Sequence, residues 1–507
     1  MQPVYDGKEM RELDRWAIEE KGIPGLTLME RAAQAVVDQV VARSPQRVAV
    51  VCGIGNNGGD GFAVARLLLA ADIPADIYLV GDPGLLKEKS DAAVNFERAM
   101  EVGCVIMPDL IPASIVAEQY DVVVDALFGT GLSRAIEGEA AEAVQWMNEL
   151  RSLGKWVIAV DIPSGIHAGT GQVLGYAVQA DETVTFSFNK AGLVIYPGRE
   201  YAGIVHVADI GIGQGNPINW SYNKGIIQCE DVKEWLPVRM KAGHKGSCGK
   251  VLIAAGSPGM MGAAIFAAKA AYRAGAGLVR VVIPRSESLA MTVSVPEAVQ
   301  ILYDDPADIA VPLDVDSVLV GPGLGANQVL FEKILQETPT GVPIVVDADG
   351  LNMLAKHPEY GNMHMILTPH MGEASRLAGK SIAELYRDLP AAAREIANQY
   401  SGTVVLKNAS TIVTGKWMVD SVINITGNSG MSTAGSGDVL AGLIAGLCAQ
   451  RKANTKRYSF NDAYHLAAAA VWLHGRAGDE AAKVKGEYAL MASDIIEYLR
   501  PDLLIQE

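Results

Sequence analysis

Cysteine is scarce in this 507-residue chain, and its five copies are scattered at Cys52, Cys104, Cys229, Cys248 and Cys448. Their number is odd and no two of them form a CxxC pair, so the sequence indicates neither a disulfide framework nor a zinc site. The pattern is typical of a protein kept in a reducing compartment, and we therefore expect a cytoplasmic location.

Positive charge and long apolar runs are also lacking. The 42 lysines and arginines are outnumbered by 58 aspartates and glutamates, which gives a formal net charge of −16. That balance argues against nucleic acid or an acidic membrane as a partner held by bulk electrostatics. The N-terminus, MQPVYDGKEMRELDR, is charged, and no run reaches the roughly 18 apolar residues of a membrane span. We expect a protein that is neither exported nor inserted in a membrane.

Half of the residues are apolar and 53 are glycine, a composition typical of a globular α/β protein. From Arg47 onward, β-branched runs such as RVAVVC and ADIYLV alternate with alanine-rich patterns such as GFAVARLLLA. This alternation predicts parallel strands with helices on both faces of the sheet. A second such series runs from KVLIAAG to GTVVLKNASTIVTG, and helices are predicted after it around Asp438–Gln450, Asn461–Gly475 and Ser493–Leu499.

A linker is predicted between the two series. The segment GIGQGNPINWSYNKG, residues 211–225, is rich in glycine and asparagine and has no periodicity. The chain length also favours more than one domain. We therefore predict a first α/β domain over residues 1–215 and a second over residues 224–507.

The stretch VAVVCGIGNNGGDGFAVARLL matches the dinucleotide-binding pattern GxGxxG at Gly53, Gly55 and Gly58. The same loop, however, carries two amides and a carboxylate in the letters NNGGD at residues 56–60. A carboxylate there would repel a pyrophosphate unless a cation intervened. The glycine pattern alone therefore does not establish a dehydrogenase.

Three polar loops end strands in the first half: GNNGGDG at residues 55–61, DALFGTGLSRA at residues 125–135 and DIPSG at residues 161–165. In an open parallel sheet, ligands bind at the carboxyl ends of the strands, so we expect these loops to converge on one crevice. Each aspartate taken alone is equally explained as a helix cap or a turn residue. Together the loops offer oxygen ligands for a hard monovalent or divalent cation from Asn57, Asp125 and Ser164.

The segments GNNGGDGFAVAR, VDALFGTGL and AVDIPSGI resemble the NAD(P)HX epimerase domain. That domain inverts the configuration at the hydrated nicotinamide carbon of damaged NAD(P)H, which restores usable stereochemistry. The resemblance extends from about Met10 to the segment YAGIVHVADIGI. It implies a potassium ion on Asn57, Asp125 and Ser164, with Asp161 against the substrate. The residues that it implies for holding the hydrated cofactor are Asn56, Asn57, Gly58, Gly59, Asp60, Gly129, Thr130, Gly131, Leu132, Ser133, Arg134 and Ala135.

Asp161 is the candidate catalytic residue of this domain. Epimerising a hydroxylated carbon requires proton transfer beside a cation that develops on the ring nitrogen, and a fixed carboxylate assists as acid–base or as counter-charge. The sequence leaves both roles open. The GxGxxG match then indicates a bound nucleotide without hydride chemistry.

The most informative stretch of the second half is NITGNSGMSTAGSGDVLAGLIAGL, from Asn424 to Leu447. Its small residues leave backbone N–H groups free at the start of a helix, where anions bind, and Asp438 stands at the mouth. This is an arrangement for phosphoryl transfer, with the aspartate accepting the proton of an attacking hydroxyl. A simple complement to the helix dipole is the alternative for Asp438. No GxxxxGK[ST] motif occurs, so a P-loop is excluded.

The pattern GSGDVLAG resembles the ribokinase-like fold. More narrowly, HKGSCGKVLIAAGS, GPGLG, VVDADGLN, LTPHMGEASRL, LKNASTIV and GNSGM resemble the ADP-dependent NAD(P)HX dehydratase, from about Cys229 to the C-terminus. The implied substrate contacts are Ala263, Gly323, His370 and Asp438. The implied nucleotide contacts are Lys407, Asn408, Ala409, Ser410, Thr411 and Gly437.

The resemblance implies that ATP or ADP phosphorylates the hydroxyl added by hydration, and that loss of phosphate regenerates NAD(P)H. Magnesium is expected with the nucleotide because bridging phosphate oxygens need a counter-charge. His370 taken alone is equally explained by packing or capping. Three positions depart from the usual family wording, namely Met371 for proline, Gly350 for alanine and Ala434 for glycine. Ala434 matters most, since a side chain narrows the conformations of the anion-binding loop.

We predict a bifunctional repair enzyme in which a Rossmann-like three-layer epimerase domain precedes a ribokinase-like α/β dehydratase domain. Its expected partners are NADHX, NADPHX and ADP or ATP, and a homo-oligomer is expected from the resemblance. A ribokinase-like kinase for a small hydroxylated metabolite is one alternative. Another is a first domain that only binds or scaffolds. The polar set that argues against a scaffold is Asn57, Asp60, Asp125, Asp161 and Ser164.

Overall fold

A computed structural model of the chain describes residues 1–213 and 224–506. Within this part the chain divides into two compact units: a first unit, Pro3–Lys224, and a second unit, Gly225–Glu507 with Met1–Gln2. Most of the predicted linker, residues 214–223, lies outside the described residues. The predicted fold class, α/β with parallel sheets in both halves, is confirmed.

The elements up to residue 213 alternate between strands and helices. The strands are β1 (Gln2–Tyr5), β2 (Val48–Cys52), β3 (Ala75–Leu79), β4 (Val105–Met107), β5 (Val122–Ala126), β6 (Trp156–Val160), β7 (Glu182–Phe186), β8 (Asn189–Lys190) and β9 (Ile204–Ala208). The helices are α1 (Gly7–Glu19), α2 (Gly25–Val41), α3 (Asn56–Ala70), α4 (Asp91–Glu101), α5 (Ala113–Val116), α6 (Glu139–Ser152) and α7 (Gly198–Ala202).

The main sheet of the first unit has the strand order β4-β3-β2-β5-β6-β7-β9, and all of its pairs are parallel. The chain leaves β2 in one direction to β3 and later returns to the other side of β2 as β5. This reversal opens a crevice at the carboxyl ends of β2 and β5, where ligands of such sheets bind.

Helices cover both faces of this sheet, as the strand pattern requires. Val48 and Val50 of β2 pack into one buried cluster with residues of α1, α2 and α3. Ala49 and Val51, on the opposite face, join a second cluster with residues of α6. Successive side chains of a strand point to opposite faces, so an all-apolar strand such as β2 belongs in the middle of a three-layer unit.

The second unit repeats the alternation and ends in helices. Its strands are β10 (Lys224–Ile226), β11 (Lys250–Ala254), β12 (Leu278–Pro284), β13 (Val299–Tyr303), β14 (Ser317–Val320), β15 (Ile344–Val346), β16 (Met365–Leu367), β17 (Thr403–Leu406), β18 (Ile412–Gly415) and β19 (Ser421–Ile423). Its helices are α8 (Cys229–Trp235), α9 (Met261–Arg273), α10 (Ser288–Ser294), α11 (Gln328–Glu337), α12 (Asp349–Leu354), α13 (Met371–Ala378), α14 (Ile382–Tyr386), α15 (Leu389–Tyr400), α16 (Ser436–Thr455), α17 (Phe460–Lys485), α18 (Ala492–Tyr498) and α19 (Pro501–Leu504).

The sheet of this unit runs β13-β12-β11-β14-β15-β16-β17-β18-β19-β10. Strands β13 to β17 pair in parallel, and β18 and β19 continue the sheet in antiparallel fashion. The strand order reverses at β11, which lies between β12 and β14. Because β14 to β17 are parallel, these four successive strands end at the same edge of the sheet.

Helix α16 is buried along most of its length and packs closely against α9. Gly442 touches the backbone of Ala267, and a Cβ on Gly446 would lie 2.6 Å from the Cβ of Ala274. Small residues on both helices allow this approach, because close packing leaves no room for larger ones. The contact fixes the start of α16 and with it Asp438.

The GNNGGDG segment differs from the prediction. It was expected to form a loop, but α3 begins at Asn56 and includes six of its seven residues. Within residues 1–213 and 224–506, no helix combines the length and the apolar character needed to cross a membrane.

Candidate active sites

The first unit contains a cavity of about 590 Å³ at the carboxyl ends of β2, β5 and β6. The expected residues that line it are Asn56, Asn57, Asp60, Gly129, Thr130, Gly131, Leu132, Ser133, Arg134 and Asp161. Gly58, Gly59 and Ala135 do not line it. A Cβ on Gly58 would overlap the carbonyl oxygen of Gly53, and a Cβ on Gly59 would lie 2.8 Å from Ala92. Gly58 lets α3 start directly behind β2, and Gly59 lets α3 pack closely on α4.

Asp125 and Ser164 form a buried pair beneath this cavity. The Ser164 hydroxyl donates to Asp125 Oδ1 at 2.6 Å, and the Ser164 backbone N–H donates to Oδ2 at 2.7 Å. Burial raises the pKa of Asp125 to about 6, although the hydrogen bonds from Ser164 and Leu127 limit the rise. Asn57 is also buried, lies against Gly129, and has no hydrogen-bond partner at Nδ2 among the described residues.

Asp161 pairs with a lysine that the sequence analysis did not single out. Lys190 is buried, and its Nζ donates to Asp161 Oδ1 at 2.6 Å, to Thr185 Oγ1 at 2.8 Å and to the Phe186 carbonyl at 3.0 Å. An ammonium group has three protons, so each one has an acceptor. Asp161 itself has φ +67°, a left-handed conformation that a non-glycine residue keeps only when its surroundings fix it.

Three further carboxyl groups line the cavity, on Asp14 of α1, Asp60 of α3 and Asp91 of α4. Burial and the charge of Asp161 raise the pKa of Asp14 to about 6, against the opposing effect of Lys190. Burial raises the pKa of Asp60 well above its usual range, and the charges of Asp161 and Asp14 add to the rise. Burial and repulsion between carboxylates therefore raise the pKa values of both Asp14 and Asp60.

The second site lies where strands β14 to β17 end. Gly323 follows β14, Asp347 follows β15, His370 and Glu373 follow β16, and Lys407 follows β17. A Cβ on Gly323 would lie 3.1 Å from the Cβ of Ala263, so these two expected substrate contacts are neighbours. The parallel sheet thus gathers residues that are widely separated in sequence.

Charge is concentrated around Lys407 in this site. Its Nζ donates to Asp347 Oδ1 at 2.8 Å, and a Cβ on Gly437 would lie 3.2 Å from the same Nζ. Burial alone would lower the pKa of Lys407, but the charges of Asp347 and Glu373 raise it overall. Burial raises the pKa of Asp438 to about 7, the charge of Asp347 adds to the rise, and Lys407 opposes it. Lys407 and Asp438 therefore share one electrostatic environment.

The predicted anion-binding loop leads into α16 through Gly435, which has φ +91°. A Cβ at Gly435 would lie 2.6 Å from the ring of Phe266. Ala434, the departure that mattered most, lies outside the left-handed region. The loop therefore needs glycine at position 435 and accepts alanine at position 434.

His370 caps α13 with its own side chain. Its Nδ1 accepts from the backbone N–H groups of Gly372, at 2.9 Å, and Glu373, at 3.3 Å. The ring is 57% exposed, and its Nε2 lies 3.3 Å from Glu373 Oε1. The capping explanation of His370 is thus observed, and its exposed edge stays available for a ligand.

The remaining expected residues lie around this site. Asn408 to Thr411 form the turn between β17 and β18, where Ser410 is buried and Asn408 Nδ2 is buried without a hydrogen-bond partner among the described residues. Met371 takes the first position of α13, where proline is favoured but not required. A Cβ on Gly350 would lie 2.9 Å from the carbonyl oxygen of Val320. None of the departures removes a polar group from the site.

Sequence reasoning missed Asp14, Lys190, Asp347 and Glu373 as individual site residues. Asp347 and Glu373 stand in quoted motifs at strand ends, and that position was a usable signal. Lys190 follows the β-branched run ETVTF, which was not recognised as a strand. Asp14 lies within an ordinary amphipathic helix and carries no local signal.

Comparison with known proteins identifies both units. Residues 251–501 match the family described as NAD(P)H-hydrate dehydratase, and residues 25–192 match the family described as YjeF-related protein N-terminus. The dehydratase of Bacillus subtilis, crystallised with ATP and Mg²⁺, is 27% identical in a structural superposition with a TM-score of 0.48, covering 55% of this chain and 98% of that one.

Curated relatives match nearly the whole chain. The bifunctional NAD(P)H-hydrate repair enzyme of Moorella thermoacetica is 38% identical, over 97% of this chain and 94% of the relative. The enzymes of the same name from Coxiella burnetii and Escherichia coli are 37% and 34% identical, over 99% and 98% of this chain and 99% and 93% of their own lengths.

Two α/β units, each with a polar site at the carboxyl ends of parallel strands, define a two-site α/β enzyme. The full-length identities show more. The chain belongs to the bifunctional NAD(P)H-hydrate repair enzymes, which join an epimerase and an ADP/ATP-dependent dehydratase in one polypeptide.

Proposed function

We propose that each reaction uses the site found in its own unit, with the first cavity epimerising NADHX and NADPHX and the second site dehydrating the S epimer. The observation that carries the proposal is the presence of two separate polar sites, one in each compact unit. The proposed domain limits stay at residues 1–215 and 224–507.

In the epimerase site, Asp161 acts as a counter-charge for the cation that develops on the nicotinamide ring nitrogen. Its contact with Lys190 supports this role, because hydrogen bonds from Lys190, Thr185 and Phe186 hold Oδ1 of the carboxylate in place. Its strained backbone and the three fixed bonds of Lys190 keep the pair in one orientation. Gly129 to Ala135 and Asn56 to Asp60 are the proposed substrate-binding segments.

A potassium ion fits the oxygen groups of Asn57, Asp125 and Ser164. The Asp125 carboxylate is buried with a hydroxyl and backbone N–H groups as its described partners, so a monovalent cation would balance its charge. The Asn57 amide can turn its oxygen toward the ion without losing a bond at Nδ2. Potassium would supply a fixed positive charge that orders the loops carrying these residues.

In the dehydratase site, Asp438 accepts the proton of the substrate hydroxyl as that oxygen attacks the terminal phosphate of the nucleotide. The start of α16 and Lys407 face the transferred group and stabilise its charge. Asn408 to Thr411 and Gly437 hold the nucleotide, while Ala263, Gly323 and His370 contact the hydrated nicotinamide. The raised pKa of Asp438, about 7, supports a proton-accepting role near neutral pH.

Magnesium would enter with the nucleotide phosphates, and Asp347 through Oδ2 is the protein ligand that fits it. Oδ1 of Asp347 is occupied by Lys407 and by the Thr368 hydroxyl, whereas Oδ2 has no hydrogen bond described. One carboxylate together with phosphate oxygens is a usual magnesium environment. The ion would neutralise charge on the bridging phosphate oxygens.

The test supplies a mixture of both NADHX epimers with ADP or ATP and follows the absorbance of reduced nicotinamide. Complete conversion of the mixture is expected, because the R epimer reaches the dehydratase only after epimerisation. Omitting the nucleotide should abolish the absorbance gain. Conversion that stops when the S epimer is consumed would contradict the epimerase proposal, and no conversion at all would contradict the dehydratase proposal.

The proposal also covers the location of the enzyme and its oligomeric state. We place the enzyme in the cytoplasm, in keeping with five free cysteines within the described residues. A homo-oligomer is proposed from the family resemblance, and size-exclusion chromatography with light scattering would test it. A mass of 53.6 kDa in that measurement would mean a monomer.

A further inference from the structure

Helix α1 places a carboxylate on the wall of the epimerase cavity. Asp14 is half-buried and lies beside Leu13, which belongs to the core of the first unit. A carboxylate on the inner side of an amphipathic helix loses solvation, and it is uncommon there unless it is paired or used. No ion pair or hydrogen bond of the Asp14 side chain is described within residues 1–213 and 224–506.

The other carboxylates of the cavity differ in whether a hydrogen bond to the side chain is described. Asp161 is bonded to Lys190, and the three protons of that lysine all have acceptors. Asp60, like Asp14, lines the cavity with no side-chain hydrogen bond described. Asp91, the fourth carboxylate, lies in the first turn of α4, where it complements the helix dipole. Among the described residues, Asp14 and Asp60 have neither kind of partner, so they are the groups available to exchange protons.

We propose that Asp14 and Asp60 are the two proton-transfer groups of epimerisation, while the Asp161–Lys190 pair only holds the counter-charge. The proposal rests on the epimerase function assigned above to this cavity. It extends that function to a helix that neither the motifs nor the strand-end rule indicated.

Electrostatics gives the two carboxyls different roles. Burial raises the pKa of Asp60 well above its usual range, which favours its protonated form, so we assign it as the acid. Asp14, with a pKa raised to about 6, is mostly ionised at pH 7 and is the base. The other charged groups on the cavity wall are Arg11, Asp91, Arg134, Asp161 and Lys190.

The proposed epimerisation has two proton-transfer steps, one for loss of water and one for its return. Asp60 gives its proton to the hydroxyl on the hydrated carbon, the C–O bond breaks, and water leaves with the electron pair. The ring nitrogen shares its lone pair with that carbon, and the positive charge faces Asp161. A water molecule then adds to the opposite face as Asp14 removes one of its protons. In the reverse direction Asp14 is the acid and Asp60 the base, and exchange with solvent resets both.

The test compares Asp14→Asn with Glu19→Gln in the full-length protein. Glu19 is an exposed residue of the same helix, so its variant controls for charge loss on α1. Chromatography of the two epimers gives kcat and KM for epimerisation, and nucleotide-dependent dehydration of the S epimer is measured alongside. We expect Asp14→Asn to lower kcat by about 100-fold or more, the scale of a lost acid–base group, with KM changed little. Glu19→Gln should match the wild type.

The pH profile separates proton transfer from a structural role. Wild-type kcat/KM should fall as the pH drops below about 6, because protonated Asp14 cannot accept a proton. In Asp14→Asn that fall should disappear, while Asp14→Glu should restore part of the rate and of the profile.

Three results would overturn the assignment: a wild-type kcat in Asp14→Asn, a raised KM with unchanged kcat, or an unchanged acid limb in a slowed variant. If Asp14→Asn does not fold, the wild-type profile decides, and a flat profile from about pH 5 to 8 overturns it. Failure of the underlying function is distinct, since the wild-type enzyme would then show no epimerisation.

Discussion

Both sites set a lysine against a carboxylate at the end of a parallel strand, but the two lysines are engaged differently. Lys190 Nζ has three acceptors, including Asp161 Oδ1 at 2.6 Å. For Lys407 Nζ one hydrogen bond is described, to Asp347 at 2.8 Å, and the group lies beside Gly437 at the start of α16. The first lysine is fixed within the protein, whereas the second can still bind an anion.

This difference matches the two reactions. Epimerisation moves no charged group between molecules, so its site benefits from a counter-charge that stays in place. The proposed dehydration passes through a phosphorylated substrate, so its site would need a cation that meets the transferred phosphate. The expected results below depend on this difference between Lys190, which is fixed, and Lys407, which can bind an anion.

The largest effect is expected for Asp438→Asn, which keeps the shape of the side chain and removes its basicity. Loss of a general base lowers the rate by about 100- to 10,000-fold, so nucleotide-dependent dehydration should fall by at least the smaller factor. Nucleotide binding should be largely kept, and epimerisation should not change because its site belongs to the other unit. Dehydration at the wild-type rate would instead favour the helix-capping explanation of Asp438.

The next effect concerns the fixed lysine. Lys190→Met leaves Asp161 as an unpaired, largely buried charge, which typically costs about 3–5 kcal/mol of folding free energy. Denaturant unfolding should show this loss, with Lys87→Met, at an exposed site, as the control. Adding Asp161→Asn to Lys190→Met should recover part of the stability. A wild-type unfolding curve for Lys190→Met would mean that the pair is not held as described.

The residues at strand ends could be predicted from the sequence because one rule places them. Asp125 and Asp161 lie at the carboxyl ends of β5 and β6, and parallel sheets gather such positions at one edge. Asp438 lies in the first turn of α16, after a glycine-rich loop that indicated a helix start. The position of Asp14 could not be predicted this way, since an amphipathic pattern shows which side of a helix is buried but not what it faces. Lys190 belongs to a two-residue strand, too short for any periodicity.

The glycine-rich start of α3 shows a second limit. Glycine is a poor helix former, so the GNNGGDG letters favoured a loop. In the structure, a Cβ on Gly61 would lie 2.6 Å from both Ala126 and Cys52. Close packing of α3 on β2 and β5 therefore selects glycine at this helix start, and this tertiary contact outweighs local propensity.

A moderate effect is expected at the anion-binding loop. Gly435→Ala places a side chain at φ +91° and 2.6 Å from the Phe266 ring, which should cost about 1–3 kcal/mol and slow dehydration. Ala434→Gly is the matched control and should stay within about 1 kcal/mol of the wild type. Thermal unfolding and dehydration rates measure both. Equal effects of the two substitutions would show that position 435 has no special requirement.

A smaller effect is expected at the proposed potassium site. Asp125→Ala removes the buried carboxylate, so epimerisation should slow by about tenfold or more and lose any dependence on potassium, while dehydration stays unchanged. Epimerisation rates in potassium chloride and in tetramethylammonium chloride separate an effect of the potassium ion from an effect of ionic strength. If the wild-type rate is the same in both salts and Asp125→Ala does not slow it, the ion has no part in the mechanism.

The smallest effect is expected when the units are separated. A fragment ending at Asn216 should still interconvert the epimers, and one starting at Lys224 should still dehydrate the S epimer, because each site draws its described residues from one compact unit. The second fragment loses the ion pair between the Met1 amino group and Asp231, a partly exposed contact whose removal should cost no more than about 1 kcal/mol. Rates within about threefold of the full-length values are expected. If both fragments aggregate without activity, the domain boundary is wrong. If only the fragment ending at Asn216 is active, the second site depends on residues before Lys224.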